Sequence, residues 1–194
     1  MNKKKKKNWY DYLWVGTIVY FTLGFFNILF AWLGLLCFSI PLIISFTKRH
    51  KAYCNIYCGR GQLLEIIGVK FSRNKPIPKF LKTKWFRYGF LIFFLAMFVN
   101  MLYITTLVFS GATELKQVLT LMWTFKFPWK LTDLTNVTPW IAQFAFGFYS
   151  MMLTSTILGF ITMFLYKPKS WCVYCPMGTM TQGICIIKNN IQKV

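Results

Sequence analysis

Acidic residues are nearly missing. Asp11, Glu65, Glu114 and Asp133 stand against twenty-three Lys and Arg, a formal charge of +19. So few carboxylates leave little general acid–base machinery, and the chain carries no Walker loop, dinucleotide fingerprint or His-Glu-x-x-His motif. His50 is the single histidine, which excludes a bis-histidine haem within this chain. Charge of either sign is absent from Tyr12 to Phe46, a stretch far too long and too greasy for a soluble core element.

What is present is apolar and basic. Hydrophobic residues make up 56% of the chain and aromatics 20%, above the range of soluble domains and arranged in long blocks. The basic residues crowd beside those blocks, as positive-inside loops facing anionic lipid head groups do. Membrane lipids are therefore the expected surroundings. Nucleic acid is not an expected partner, because no basic face stands free of the apolar blocks. The lysine run before Asn8 resembles the start of a signal peptide. The apolar stretch behind it is too long for one and ends in no small-residue cleavage site, so it reads as an uncleaved first span.

The expected fold is an all-α membrane protein with four transmembrane helices, arranged as two tandem helical hairpins, each followed by a cytoplasmic Cys motif. Residues 1–8 form a basic cytoplasmic tail, and 9–69 hold the first hairpin and the Cys54/Cys58 motif. A turn near Gly24–Asn27 divides that hairpin, since Lys3–Lys7 and Lys48-Arg49-Lys51 both belong inside and need an even number of crossings. Pro41 then kinks the second span. Gln62 to Gly68 predicts a short interfacial helix with Leu63, Ile66 and Ile67 on its apolar side. Residues 70–85 are a basic cytoplasmic linker broken by Pro76 and Pro78. The second hairpin, 86–166, has spans from Phe86 to Phe109 and Pro139 to Tyr166, joined by an aromatic-rich outer loop, 110–138. Residues 167–194 carry the Cys172/Cys175 motif and a short basic tail. The setting is the cell's inner (cytoplasmic) membrane, multi-pass, with N- and C-termini cytoplasmic.

One motif is written twice. Lys51-Ala52-Tyr53-Cys54-Asn55-Ile56-Tyr57-Cys58-Gly59-Arg60-Gly61 is matched by Lys169-Ser170-Trp171-Cys172-Val173-Tyr174-Cys175-Pro176-Met177-Gly178. Cys54 and Cys58, four apart, share a face on a helix, and Cys172 and Cys175, three apart, do likewise. Each pair is half a metal site. Two crossings separate the copies, so both lie on one side of the membrane, and a pseudo-twofold axis along its normal would bring four thiolates together. That count suits an iron–sulfur cluster or a structural zinc. Pro176 matches the Cys-Pro ending of ferredoxin motifs. Gly61 and Gly178 leave room for backbone N–H groups to approach cluster sulfurs, and Lys51, Arg60 and Lys169 would offset the charge of a thiolate-bound centre. Cys37 and Cys185 are left out of the ligand set, Cys37 as a packing residue, and His50 is read as a solvated neighbour of Lys48 and Arg49. Asn100 and Gln143 read as polar glue between spans.

Apolar hairpins followed by Cys-x-x-x-Cys-Pro-x-Gly resemble the NapH/NosR-type membrane iron–sulfur proteins, which are polyferredoxin-like electron carriers. The resemblance covers most of the chain and rests on Cys54, Cys58, Gly61, Cys172, Cys175, Pro176 and Gly178. This chain departs from it in the tighter second pair, in Gly59 where proline is usual, and in having no appended soluble ferredoxin domain. What the resemblance implies is a [4Fe-4S] cluster in preference to [2Fe-2S], held by Cys54, Cys58, Cys172 and Cys175. It further implies one-electron relay between redox donor and acceptor proteins, a flavoprotein or quinone among them. A zinc-stapled transporter or assembly factor and a cytoplasmic-side dithiol oxidoreductase remain open as alternatives on the cysteines alone.

Overall fold

The computed structural model describes residues 9–47, 57–121, 124–128 and 137–191. A 3-10 turn, Trp9–Tyr12, leads into α1, Leu13–Phe26. The helix stops because Asn27 is extended, its side chain accepting the N–H of Leu29 while its own N–H closes on the carbonyl of Leu23. A second 3-10 segment, Ile28–Leu33, then runs without a break into α2, Gly34–Thr47. The chain thus divides at the end of the Gly24–Asn27 stretch that sequence marks as a turn. Tyr20 stands against Gly34 and points its hydroxyl at the Ala31 carbonyl, so α1 lies alongside the returning chain.

Next come α3, Gly59–Phe71, and the single-turn α4, Lys79–Lys82, separated by the proline-bearing stretch. α5, Lys84–Phe109, runs away from them and α6, Pro139–Leu165, returns. Three helical stretches are long and apolar enough to cross a membrane: Ile28–Thr47 with 20 residues, Lys84–Phe109 with 26 and Pro139–Leu165 with 27. α1 is apolar but has 14 residues, about 21 Å of helix against a hydrocarbon core of about 30 Å.

α6 is the axis of the molecule. Of its apolar window 56% is buried, against 28% for each of the other two. Three packed layers follow it from end to end. Ile28, Ala31, Ala145, Phe146 and Tyr149 fill the far end, Phe94, Met101, Phe148 and Met151 the middle, and Leu64, Met163, Trp171 and Tyr174 the near end. Tyr149 donates to the Phe21 carbonyl at 3.0 Å and the Trp32 indole to the Ile141 carbonyl at 3.4 Å, tying both hairpins together at the far end. At the near end Gly59 meets Leu13, Ser45 donates to the Thr181 carbonyl at 3.1 Å, and Arg87 donates to Gln182 at 2.6 Å.

Three features differ from the sequence expectation. The 110–138 loop holds a two-stranded hairpin, β1 Val118–Leu121 and β2 Phe125–Pro128, antiparallel with Leu119 opposite Phe127. It turns back into the bundle: Leu119 is 2% exposed, and the Thr120 N–H donates to Ser150 halfway along α6. The expected interfacial helix is longer than Gln62–Gly68 and is wedged between α1 and α6, burying Leu63 and Leu64 while Ile66 faces out. The C-terminal tail is a helix, α7, Pro176–Ile191, packed on α2 and α5.

Candidate metal centre

The second cysteine of each motif stands at the start of a helix. Cys58 caps α3: its sulfur accepts the Gly61 N–H at 3.4 Å, and its carbonyl accepts the Gln62 N–H at 3.0 Å. Cys175 directly precedes α7, where Pro176 supplies a fixed φ and has no N–H to leave unpaired. Its carbonyl accepts both the backbone N–H and the hydroxyl of Thr179, at 3.0 and 3.1 Å. Unpaired N–H groups and the positive end of the dipole gather at such a terminus, which favours thiolate over thiol. Cys172 lies in a 3-10 turn, Trp171–Val173, so the second pair is not displayed on an α-helical face as its spacing suggests.

The aromatic residues of the repeat anchor that turn. Trp171 and Tyr174 stack edge-on at 5.0 Å, and each meets Phe90 from α5, at 5.8 and 5.2 Å. Both are 3% exposed. Ser170 donates to the Thr162 carbonyl at 2.8 Å. With the aromatics turned into the bundle, Cys172 and Cys175 are left on the other side of the turn, facing Cys58.

Between them lies a cavity of about 70 Å³, lined by Cys58, Cys172, Cys175, Cys37 and Arg60 together with apolar side chains from α2, α5 and α6. A Cβ on Gly61 would lie 3.5 Å from the Cys58 sulfur and 3.6 Å from that of Cys172. The two sulfurs therefore flank one bare stretch of backbone and stand no further apart than those two radii together. Arg60 reaches the wall from α3, donating to the Ser155 hydroxyl at 2.6 Å and to the Met152 sulfur at 3.0 Å. Both partners are neutral, so the guanidinium charge is left for whatever fills the cavity. Burial pushes the Cys58 thiol up, and a charge on Cys175 adds to this, while the Gly61 N–H and Arg60 pull the other way. Burial likewise pushes the Tyr174 phenol up to about 12, so it stays neutral. Soft thiol donors, a cation and the Gly61 N–H on the Cys58 sulfur, around one hollow, fit a thiolate-bound, anionic metal cluster.

The remaining sequence candidates fall elsewhere. Cys54, His50 and Lys51 lie outside the described residues. Lys169 pairs with Glu65 at 2.8 Å, both side chains about half exposed, and so does not serve the cavity. Cys185 lies against Ser45, 3.6 Å away, and is not part of the cavity wall. Gln143 accepts the Lys116 N–H at 3.1 Å and shares with Asn100 a second cavity of about 370 Å³ between α5, α6 and β1. Cys37, read from sequence as a packing residue, lines the cavity, and the one sequence signal at its turn is Pro41 four residues later. Among the described residues no three His, Cys, Asp or Glu side chains stand close enough together to hold a single ion.

Residues 30–78 and 150–193 match the family model of a 4Fe-4S binding domain, and each segment holds one copy of the repeated motif. The chain is an iron–sulfur protein and its cofactor is of the [4Fe-4S] type. No curated protein and no solved structure matches it.

Proposed function

We propose that this chain is a membrane-bound electron-transfer protein of the NapH/NosR type, working as a subunit of a redox complex in the inner membrane. Cys54, Cys58, Cys172 and Cys175 hold one cluster at the cytoplasmic face. The observation that carries this reading is the meeting of Cys58 with Cys172 and Cys175 at one cavity, although the two motifs lie more than a hundred residues apart. When bound, the cluster takes up and gives back single electrons. The chain's own residues do the rest. Arg60 supplies positive charge against the thiolates, the Gly61 backbone lies open to the sulfurs, and the aromatic layer of Trp171, Tyr174 and Phe90 keeps water from one side.

All four apolar helices cross the membrane in this reading. α1 does so with help from the 3-10 turn before it, which adds about 8 Å of rise. The near end is cytoplasmic, because the basic segments Lys70–Lys84 and Lys167–Lys169 belong to it. A redox donor and an acceptor, a flavoprotein or quinone among them, dock on the complex, since one cluster is a relay and not a circuit. A single zinc ion asks for sulfurs about 3.8 Å apart, given Zn–S bonds of about 2.3 Å; the looser thiol set favours a cluster.

The test is metal analysis of anaerobically purified protein in detergent, with EPR before and after dithionite. About four iron and four sulfide per chain, with a reduced-state signal lost in Cys58→Ser and Cys175→Ser, supports the relay. Stoichiometric zinc without a signal supports a structural site instead, and thiol–disulfide cycling without metal a dithiol enzyme.

A further inference from the structure

α2 carries a thiol that neither motif claims. Cys37 lines the same cavity as Cys58, Cys172 and Cys175, so four thiols surround it without Cys54. The placement has a backbone cause. Pro41 has no N–H, which frees the Cys37 carbonyl from its helical donor and loosens α2 at that turn. Pro41 is itself buried in the cavity wall. Cys37 is a free and exposed cysteine inside an apolar helix, yet what it is exposed to is this cavity and the cleft between α1 and α2 that adjoins it. Nothing about packing an apolar helix asks for a thiol there.

We propose that Cys37 is a cluster ligand, holding one iron whenever Cys54 does not. The proposal rests on the iron–sulfur reading above. Five thiols then compete for four positions. Three of them, Cys58, Cys172 and Cys175, are fixed by helix starts and by the aromatic anchor. The fourth position is open to Cys37, which lines the cavity, and to Cys54, which the sequence places four residues before Cys58. Taking that position, Cys37 would give up its Sγ–H proton to solvent and bind iron as thiolate, and the cysteine it replaces would take up a proton. No electron would move, so the oxidation state would be unchanged. The helical thiol acts as a reserve that retains the cluster when the other ligand is oxidised or displaced.

The test uses the full chain purified anaerobically, with Cys54→Ser, Cys37→Ser and the double variant, each first matched to wild type by elution profile. Iron and sulfide are counted, and Cys37 is probed with N-ethylmaleimide and mass spectrometry before and after the cluster is stripped by chelator. The expected result is that Cys54→Ser keeps its iron and shields Cys37 until stripping, while the double variant loses the four-iron content. Cys37→Ser alone, which leaves the motif cysteines intact, loses its cluster to chelator several-fold faster than wild type. Loss of the cluster in Cys54→Ser with wild type intact overturns the proposal. Alkylation of Cys37 at one rate before and after stripping in Cys54→Ser does the same, as does an unchanged chelation rate in Cys37→Ser. A wild-type protein without iron and sulfide defeats the iron–sulfur reading itself, and this inference with it.

Discussion

Arg60 brings a full positive charge to the cavity wall with a hydroxyl and a thioether as its partners. Reduction adds negative charge to a site already carrying thiolates, and a nearby cation stabilises the reduced form more than the oxidised one. Arg60→Gln is therefore expected to lower the midpoint potential in an EPR-monitored redox titration, with Arg60→Lys shifting it less. Gly59 answers a different question, why glycine follows the second cysteine of the first motif where Pro176 follows that of the second. A Cβ there would sit 2.5 Å from the Leu13 carbonyl oxygen and 2.7 Å from the Thr17 hydroxyl. The first contact is backbone, which cannot swing aside, so α1 crosses α3 only over a bare Cα. Gly59→Ala is expected to cost about 1–3 kcal/mol in thermal unfolding, and Gly59→Pro at least as much. At this scale the convergence of Cys58, Cys172, Cys175 and Arg60 on one cavity was legible, because their chemistry is written in residue type and spacing. Cys37 was not. A helix that is apolar all round gives no sign of which side faces the centre, and only Pro41 marks its turn as unusual.

Among the elements, the long apolar helices were legible, while α7 and the hairpin were not. The ends of α5 and α6 fall within a few residues of the charges and prolines that stop them, and α1 ends at Asn27, where a side-chain cap replaces the helical ladder. β1 is a four-residue strand inside a long polar and aromatic connection, too short for alternation to rise above its surroundings. It is fixed instead by contacts far away in sequence: Leu119 against α6, the Thr120 N–H on Ser150, and the Lys116 N–H on Gln143. Because Ser150 is buried, removing its hydroxyl leaves the Thr120 N–H with no acceptor at that position. Ser150→Ala is expected to destabilise by about 1–3 kcal/mol in detergent. Thr156→Val is the control, since the Thr156 hydroxyl merely adds a further donor to the helical Met152 carbonyl, which the Ser155 hydroxyl also reaches, and its expected cost is well under 1 kcal/mol, on the order of a few tenths. Equal losses in the two variants would mean that the hairpin does not hang on Ser150.

For the molecule as a whole, Cys58 meets Cys172 and Cys175 because each motif follows a helical pair and both pairs return to the same end of the bundle. α1 decides the number of crossings. Its 14 helical residues are short for a span, while the 3-10 turn before it and the basic run before Asn8 suit an inward start. The two arrangements differ in one observable. With four crossings, residues 1–8 share a side with the cysteine motifs; with three, they lie opposite. Lys3–Lys7 would then be carried across the membrane, against the usual retention of lysine runs on the cytoplasmic side. Epitope tags placed before Asn8 and in the Gly111–Thr113 turn, digested by protease in inside-out and right-side-out vesicles, separate the cases. The expected outcome is a turn tag cut only from outside and an N-terminal tag cut only from inside. An N-terminal tag cut from outside would overturn the four-crossing reading, and with it the meeting of Leu13 and Gly59 at the near end. The cysteine motifs would still share one face, because α5 and α6 alone carry the chain out and back between them.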